Sequence, residues 1–214
     1  MKVSSDAPRP PGRRVTRRGF MRTALGVALA ASTAGGLAAF YALRVEPGWV
    51  QITQRDVYLS RLTKAFDGLT VAQISDIHRG PYMSESRLRE IVRLANNLAP
   101  DLVLLTGDFV HGAAIYGSSC AQALRDLAAP HGVYAVLGNH DVWASADGIS
   151  RSLEQAGIRV LRDNRQSLEA NGERLWLLGL EDAGITGFAG EPFDGFRNRW
   201  RKKVALLGEV SGQP

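Results

Sequence analysis

The chain has 214 residues, 45% of them hydrophobic, and a net charge of +5; that is room for one folded domain with a buried core and a targeting segment. The charge is local. Residues 1–22 carry Lys2, Arg9, Arg13, Arg14, Arg17, Arg18 and Arg22 against Asp6, and the other 192 residues hold 19 basic and 20 acidic groups, so the folded part lacks the basic excess of a nucleic-acid binder and no nucleic-acid partner is expected. Cys120 is the single cysteine, which excludes an intrachain disulfide and reads as a small apolar core residue.

Thr16-Arg17-Arg18-Gly19-Phe20-Met21-Arg22 fits the twin-arginine export pattern, and Ala24 to Leu43 follows without a charge. A basic n-region before an apolar h-region is an export address. The apolar stretch is long enough to cross a bilayer, although Gly26, Ser32, Thr33, Gly35 and Gly36 dilute it and no good cleavage site follows. Two outcomes stay open: an uncleaved anchor with its positive end inside, or a cleaved signal with the protein released. Residues 1–46 are therefore expected to be a twin-arginine signal or membrane anchor, with the export machinery and the membrane as partners and the periplasmic or outer side as destination.

From Glu46-Pro47-Gly48 onward the pattern is that of a folded domain. Val50–Leu59 alternates apolar and polar residues, which predicts a half-buried strand. Asp67-Gly68 is a turn before a strand over Leu69–Ile74. Ser84 or Ser86 caps a helix over Arg87–Leu98, with Leu88, Ile91, Val92, Ala95 and Leu98 on one face. Leu102–Leu105 and Val133–Leu137 read as buried strands, separated by a Gly-rich loop and a short helix over Ala121–Leu127. A helix over Ala146–Ala156 precedes strands at Arg159–Leu161, Gln166–Glu169 and Leu175–Leu180, the last two joined by an Asn171-Gly172 hairpin turn. The β-α-β-α-β order predicts a layered α/β domain, expected over 47–184. Beyond Gly184 the periodicity fades, and 185–214 is expected to be an irregular tail, with a frameshift or early stop near Phe193–Lys203 as its cause.

Three short segments each follow a predicted buried strand: Asp76-Ile77-His78, Gly107-Asp108 and Gly138-Asn139-His140-Asp141. Carboxylate, imidazole and amide groups at the ends of consecutive strands converge where α/β sheets place their sites. These ligand types suit Mn²⁺, Fe or Zn²⁺. The ordered set resembles the calcineurin-like metallophosphoesterases over about Gln51 to Asp182. The resemblance implies a two-sheet β-sandwich flanked by helices and hydrolysis of a phosphate ester by two-metal activation of water. It implies Asp76 and His78 on the first of two divalent ions (Mn, Fe or Zn), Asp108 as the bridge and Asn139 on the second. His140 would then face the phosphate, stabilising charge or protonating the leaving oxygen, with Asp141 orienting it. His111 and His131 match no ligand position of the family and read as ordinary loop histidines. Arg79 reads equally as a phosphate contact or a surface arginine, and Glu181-Asp182 as the start of a loop.

The same resemblance calls for a later strand-end histidine and a Gly-His-x-His segment, and no histidine follows His140. The expectation is an incomplete C-terminal part, a poorly completed second metal site and impaired activity. Three functions are weighed: an envelope phosphodiesterase or phosphatase, which leads; a pyrophosphate hydrolase of lipid precursors of the UDP-diacylglucosamine type; and a non-catalytic remnant that binds a phosphorylated ligand.

Overall fold

The computed structural model describes residues 16–46 and 49–180. The expected tail at 185–214, its basic run Arg199–Lys203 and Glu181-Asp182 lie outside the described residues. The chain divides between Asp56 and Val57 into two units.

The described part of the first unit is dominated by α1 (Arg17–Phe40), continued by one wide helical turn over Tyr41–Val45. Thr16 caps it: its hydroxyl accepts a hydrogen bond from the Gly19 N–H at 3.2 Å, so the helix starts at the twin arginines. None of its residues is buried. At 24 residues and about 1.5 Å rise per residue it reaches the roughly 30 Å of a bilayer core. By length and composition this apolar helix could cross a membrane, as a signal sequence or an anchor does.

The expected strand at Val50–Leu59 does not form. Residues 49–59 have no regular structure and are exposed, Val57 at 75% and Leu59 at 59%. Alternation alone does not make a strand, because each backbone N–H and C=O needs a partner, and no described strand pairs with this segment.

In the second unit four strands, β1 (Val71–Ile74), β2 (Leu102–Leu105), β3 (Val133–Ala135) and β4 (Arg159–Val160), form a parallel sheet in the order β1-β2-β3-β4. The crossovers are α2 (Glu85–Asn97), α3 (Gly117–Leu124) and α4 (Asn139–Gln155). The strands alternate between two cores. Val103, Leu105, Val133 and Ala135 face one, where Leu88 and Val92 of α2, Cys120 and Leu124 of α3, and Ile149 and Leu153 of α4 cover them. Leu102, Leu104, Tyr134 and Val136 face the other, beneath Phe66 and the antiparallel hairpin of β5 (Asn164–Ala170) and β6 (Glu173–Gly179). Helices on one face and a second sheet on the other make the expected layered sandwich.

Two helices begin earlier than expected. α3 starts at Gly117, which is buried and leaves room for Ile149 of α4 where a side chain would clash. α4 starts at Asn139 and bends at Ser145, whose backbone is extended. The predicted helix at Ala146–Ala156 is its second half; its first half is the Asn-His-Asp motif itself.

Candidate metal centre

The three motif loops leave the carboxyl ends of β1, β2 and β3, and their backbones lock together. Pairing of β1 with β2 continues past the strands: Asp76 N–H donates to the Gly107 carbonyl (3.1 Å), His78 N–H to Asp108 (2.8 Å), Arg79 N–H to Phe109 (2.8 Å) and His111 N–H to Arg79 (3.0 Å). To reach this register Asp76, His78 and Asp108 all adopt left-handed backbone, φ 54°, 47° and 56°. Such backbone costs of order 1 kcal/mol or more per non-glycine residue and gathers at functional sites. Gly107 and Gly138 are needed for close approach: a Cβ on Gly107 would meet the Gly138 nitrogen at 2.5 Å, and one on Gly138 would strike the Asp108 carboxylate.

Asp108 joins all three loops. Its Oδ1 accepts the His140 N–H at 3.0 Å, in the first turn of α4 where the helix dipole favours negative charge. Its Oδ2 lies 3.6 Å from His78 Nε2, and Asp76 Oδ1 lies 3.7 Å from the same nitrogen. The Ser75 hydroxyl donates to Asp76 Oδ2 at 2.6 Å. Asp76, His78 and Asp108 each offer one ligand atom within 4.8 Å of the others. This donor set fits a divalent cation: two carboxylates supply charge and one imidazole supplies nitrogen. Asn139 stands half-buried at the first position of α4, next in sequence to His140.

Among the described residues Asp141 makes no hydrogen bond to the His140 ring. It is completely buried, its Oδ1 accepts the N–H groups of Phe109 (2.8 Å) and Val110 (3.1 Å), and its Oδ2 accepts that of Gly138 (3.0 Å). A helix N-terminus and a strand-end loop have orphan donors, and this carboxylate satisfies three of them. Burial, reinforced by the Asp108 charge, holds the Asp141 carboxyl above the ordinary carboxylate range although the three amides pull it down. Arg79 turns inward: its guanidinium donates to the carbonyls of Gly80 (2.7 Å) and Met83 (2.8 Å) and lies 5.3 Å from the Tyr116 ring centroid. It holds the β1–α2 loop.

His111 is the residue that sequence reasoning passed over. Its ring stands 5.5 Å from the centroid of His78 and 5.5 Å from that of His140, while His78 and His140 are 4.8 Å apart. Trp143 completes the wall 5.2 Å from His140. The one available signal was position, since His111 lies three residues beyond Asp108 in the same strand-end loop. His131 sits at the opposite end of the sheet, against Phe66.

Comparison with known proteins identifies the family. The sequence profile of the calcineurin-like phosphoesterases matches residues 69–202. The chain is 30% identical over 174 residues to a Bacillus subtilis protein described as uncharacterized metallophosphoesterase YkuE, covering 79% of this chain and 61% of that one. It is 34% identical over 127 residues to the UDP-2,3-diacylglucosamine pyrophosphatase LpxG of Chlamydia muridarum, 57% of this chain and 39% of that one. To the phosphodiesterase YaeI of Escherichia coli it is 26% identical over 172 residues, 78% of this chain and 61% of that one. The chain thus spans less than two thirds of the length of these relatives.

Proposed function

This chain belongs to the calcineurin-like phosphoesterase family, and from that premise we propose that it is a metal-dependent phosphoester hydrolase, a phosphodiesterase or phosphatase of the cell envelope. The observation that carries this reading is the meeting of Asp76, His78 and Asp108 at one point beyond the strand ends. In the proposed assignment Asp76, His78 and Asp108 hold a first divalent ion, Asp108 also reaches a second, and Asn139 belongs to that second ion. Bound metal would supply Lewis-acid polarisation of the phosphoryl group and a nucleophilic water at neutral pH.

The chain's own groups do the rest. His140, in the first turn of α4 and fixed by its N–H on Asp108, is placed to donate a proton to the leaving oxygen or to steady charge on the phosphate. Asp141 secures the two loops that carry Asp108 and His140. Trp143, 55% exposed beside His140, offers an apolar wall to the non-phosphate part of a substrate.

The proposed division of labour is 1–46 for targeting and 47–184 for the phosphoesterase domain. The pair Arg17-Arg18 at the start of an exposed apolar helix supports export by the twin-arginine route. Changing both arginines to lysine should then retain the protein in the cytoplasm, and normal export of that variant would remove the route from the proposal. Similarity to LpxG favours one second reading, cleavage of a lipid-linked pyrophosphate. Both readings are tested by assaying the full chain with Mn²⁺ on bis-p-nitrophenyl phosphate and on a lipid-linked nucleoside diphosphate sugar. Release of nitrophenol that Asp108→Asn abolishes supports the leading reading, and cleavage confined to the pyrophosphate supports the second. Activity that survives Asp108→Asn would place the chemistry elsewhere.

A further inference from the structure

We propose that His111 is a metal ligand, forming with His78 and His140 a three-imidazole site for a Zn²⁺-like cation beside the carboxylate set. The three residues come from two loops and the first turn of α4, yet each offers a ring nitrogen within 4.8 Å of the others. Three imidazoles around one Zn²⁺ at about 2.0–2.1 Å, with a fourth position open, is a common arrangement for this ion, and these rings would rotate to reach it.

The placement is built rather than incidental. His111 N–H is tied to the Arg79 carbonyl in a parallel bridge between Arg79 and Val110. Gly80 is buried against it: a Cβ there would come within 3.3 Å of His111 Cβ, so a side chain at that position would crowd the loop. His140 is fixed from the other side through Asp108. Among the described residues no hydrogen bond engages the ring nitrogens of His111 or His140, and His78 Nδ1 is buried without a partner. Three such rings facing one another gain little from mutual contact, and a cation of imidazole-preferring type satisfies all three.

The inference rests on the metal-centre reading through His78, which both donor sets use, but it needs no catalysis. It also carries a consequence: a cation held by His140 withdraws that ring from proton donation, so Zn²⁺ bound here would inhibit rather than activate.

The test is titration of the full chain with Co²⁺, followed by visible absorption, and with Zn²⁺, followed by calorimetry, for wild type, His111→Ala, His111→Gln and Asp108→Asn. Circular dichroism without metal checks that each variant is folded; His111 is on an exposed loop, and the glutamine variant keeps its bulk. The expected result is loss of the tetrahedral Co²⁺ bands and at least about tenfold weaker Zn²⁺ binding in both His111 variants. Unchanged Co²⁺ spectra and Zn²⁺ affinity in both His111 variants would overturn the proposal. If binding is lost only in Asp108→Asn, the carboxylate centre stands and the histidine site falls. If wild type binds neither ion, both fall.

Discussion

Asp141 shows how a residue in a catalytic-looking motif can serve the scaffold. One buried carboxylate accepts three backbone N–H groups from two loops, and removing it leaves those donors unpaired at a cost of about 1–3 kcal/mol for the worst placed of them. Asp141→Ala is therefore expected to lower unfolding stability in urea by about 2–4 kcal/mol and to weaken metal binding because Asp108 and His140 lose their frame. A variant of wild-type stability would show that the loops hold without it. Cys120 makes a second residue-level prediction. Burial, then the nearby Asp141 charge, pushes its thiol up to about 12, so the native protein should not react with a disulfide reagent at pH 8 and the urea-unfolded protein should. What the sequence conveyed at this scale was residue type and order. It could not convey that Asp76, His78 and Asp108 would take left-handed backbone, nor which way Asp141 points, because both depend on the register between β1, β2 and α4. His111 escaped for the same reason: its significance lies in where the Arg79–Val110 bridge puts it.

At the scale of elements, the parallel sheet is tied at its far end by one carboxylate. The Asp101 carboxylate accepts the Thr70 hydroxyl at 2.6 Å and the Thr70 N–H at 2.8 Å, and the Thr70 hydroxyl, then its N–H, hold Asp101 below the ordinary carboxylate range. A carboxyl depressed in the folded state adds stability that is complete above its unfolded value and is lost as pH falls through its folded value. Urea unfolding of wild type and Asp101→Asn should therefore differ at pH 7 and converge in acid; a gap independent of pH would contradict this. The hairpin is held similarly, Glu173 accepting the Ala65 N–H at 2.9 Å, and its Leu168 meets Phe66 in the second core. Phe66→Ala should cost about 3–5 kcal/mol, read from the urea midpoint. The strands of both sheets and α2 were legible because period and flanking turns agreed: Ser84 caps α2 as expected, and Asn171-Gly172 turns with both residues left-handed. The alternation of Val50–Leu59 misled because period says nothing about a partner. The start of α4 was hidden because Gly138 offers no capping side chain and Asn139, His140 and Asp141 are weak helix formers.

On the scale of the whole molecule, the described residues comprise an exposed apolar helix and a layered α/β unit. The helix predicts that the full chain sediments with membranes and resists extraction by high salt, which removes proteins held by charge alone; release by salt would argue against an anchor. Order of motifs, each behind a strand, carried the family and the layered fold from sequence, because parallel strands bring their carboxyl ends to one edge wherever the helices between them lie. This edge is proposed to hold a divalent cation between Asp76, His78 and Asp108. Crystals soaked in Mn²⁺ and measured near the manganese absorption edge test that proposal. An anomalous peak within ligand distance of those three side chains, absent from Asp108→Asn crystals, is the predicted result. No peak there at saturating Mn²⁺, or one that survives Asp108→Asn unchanged, would contradict it.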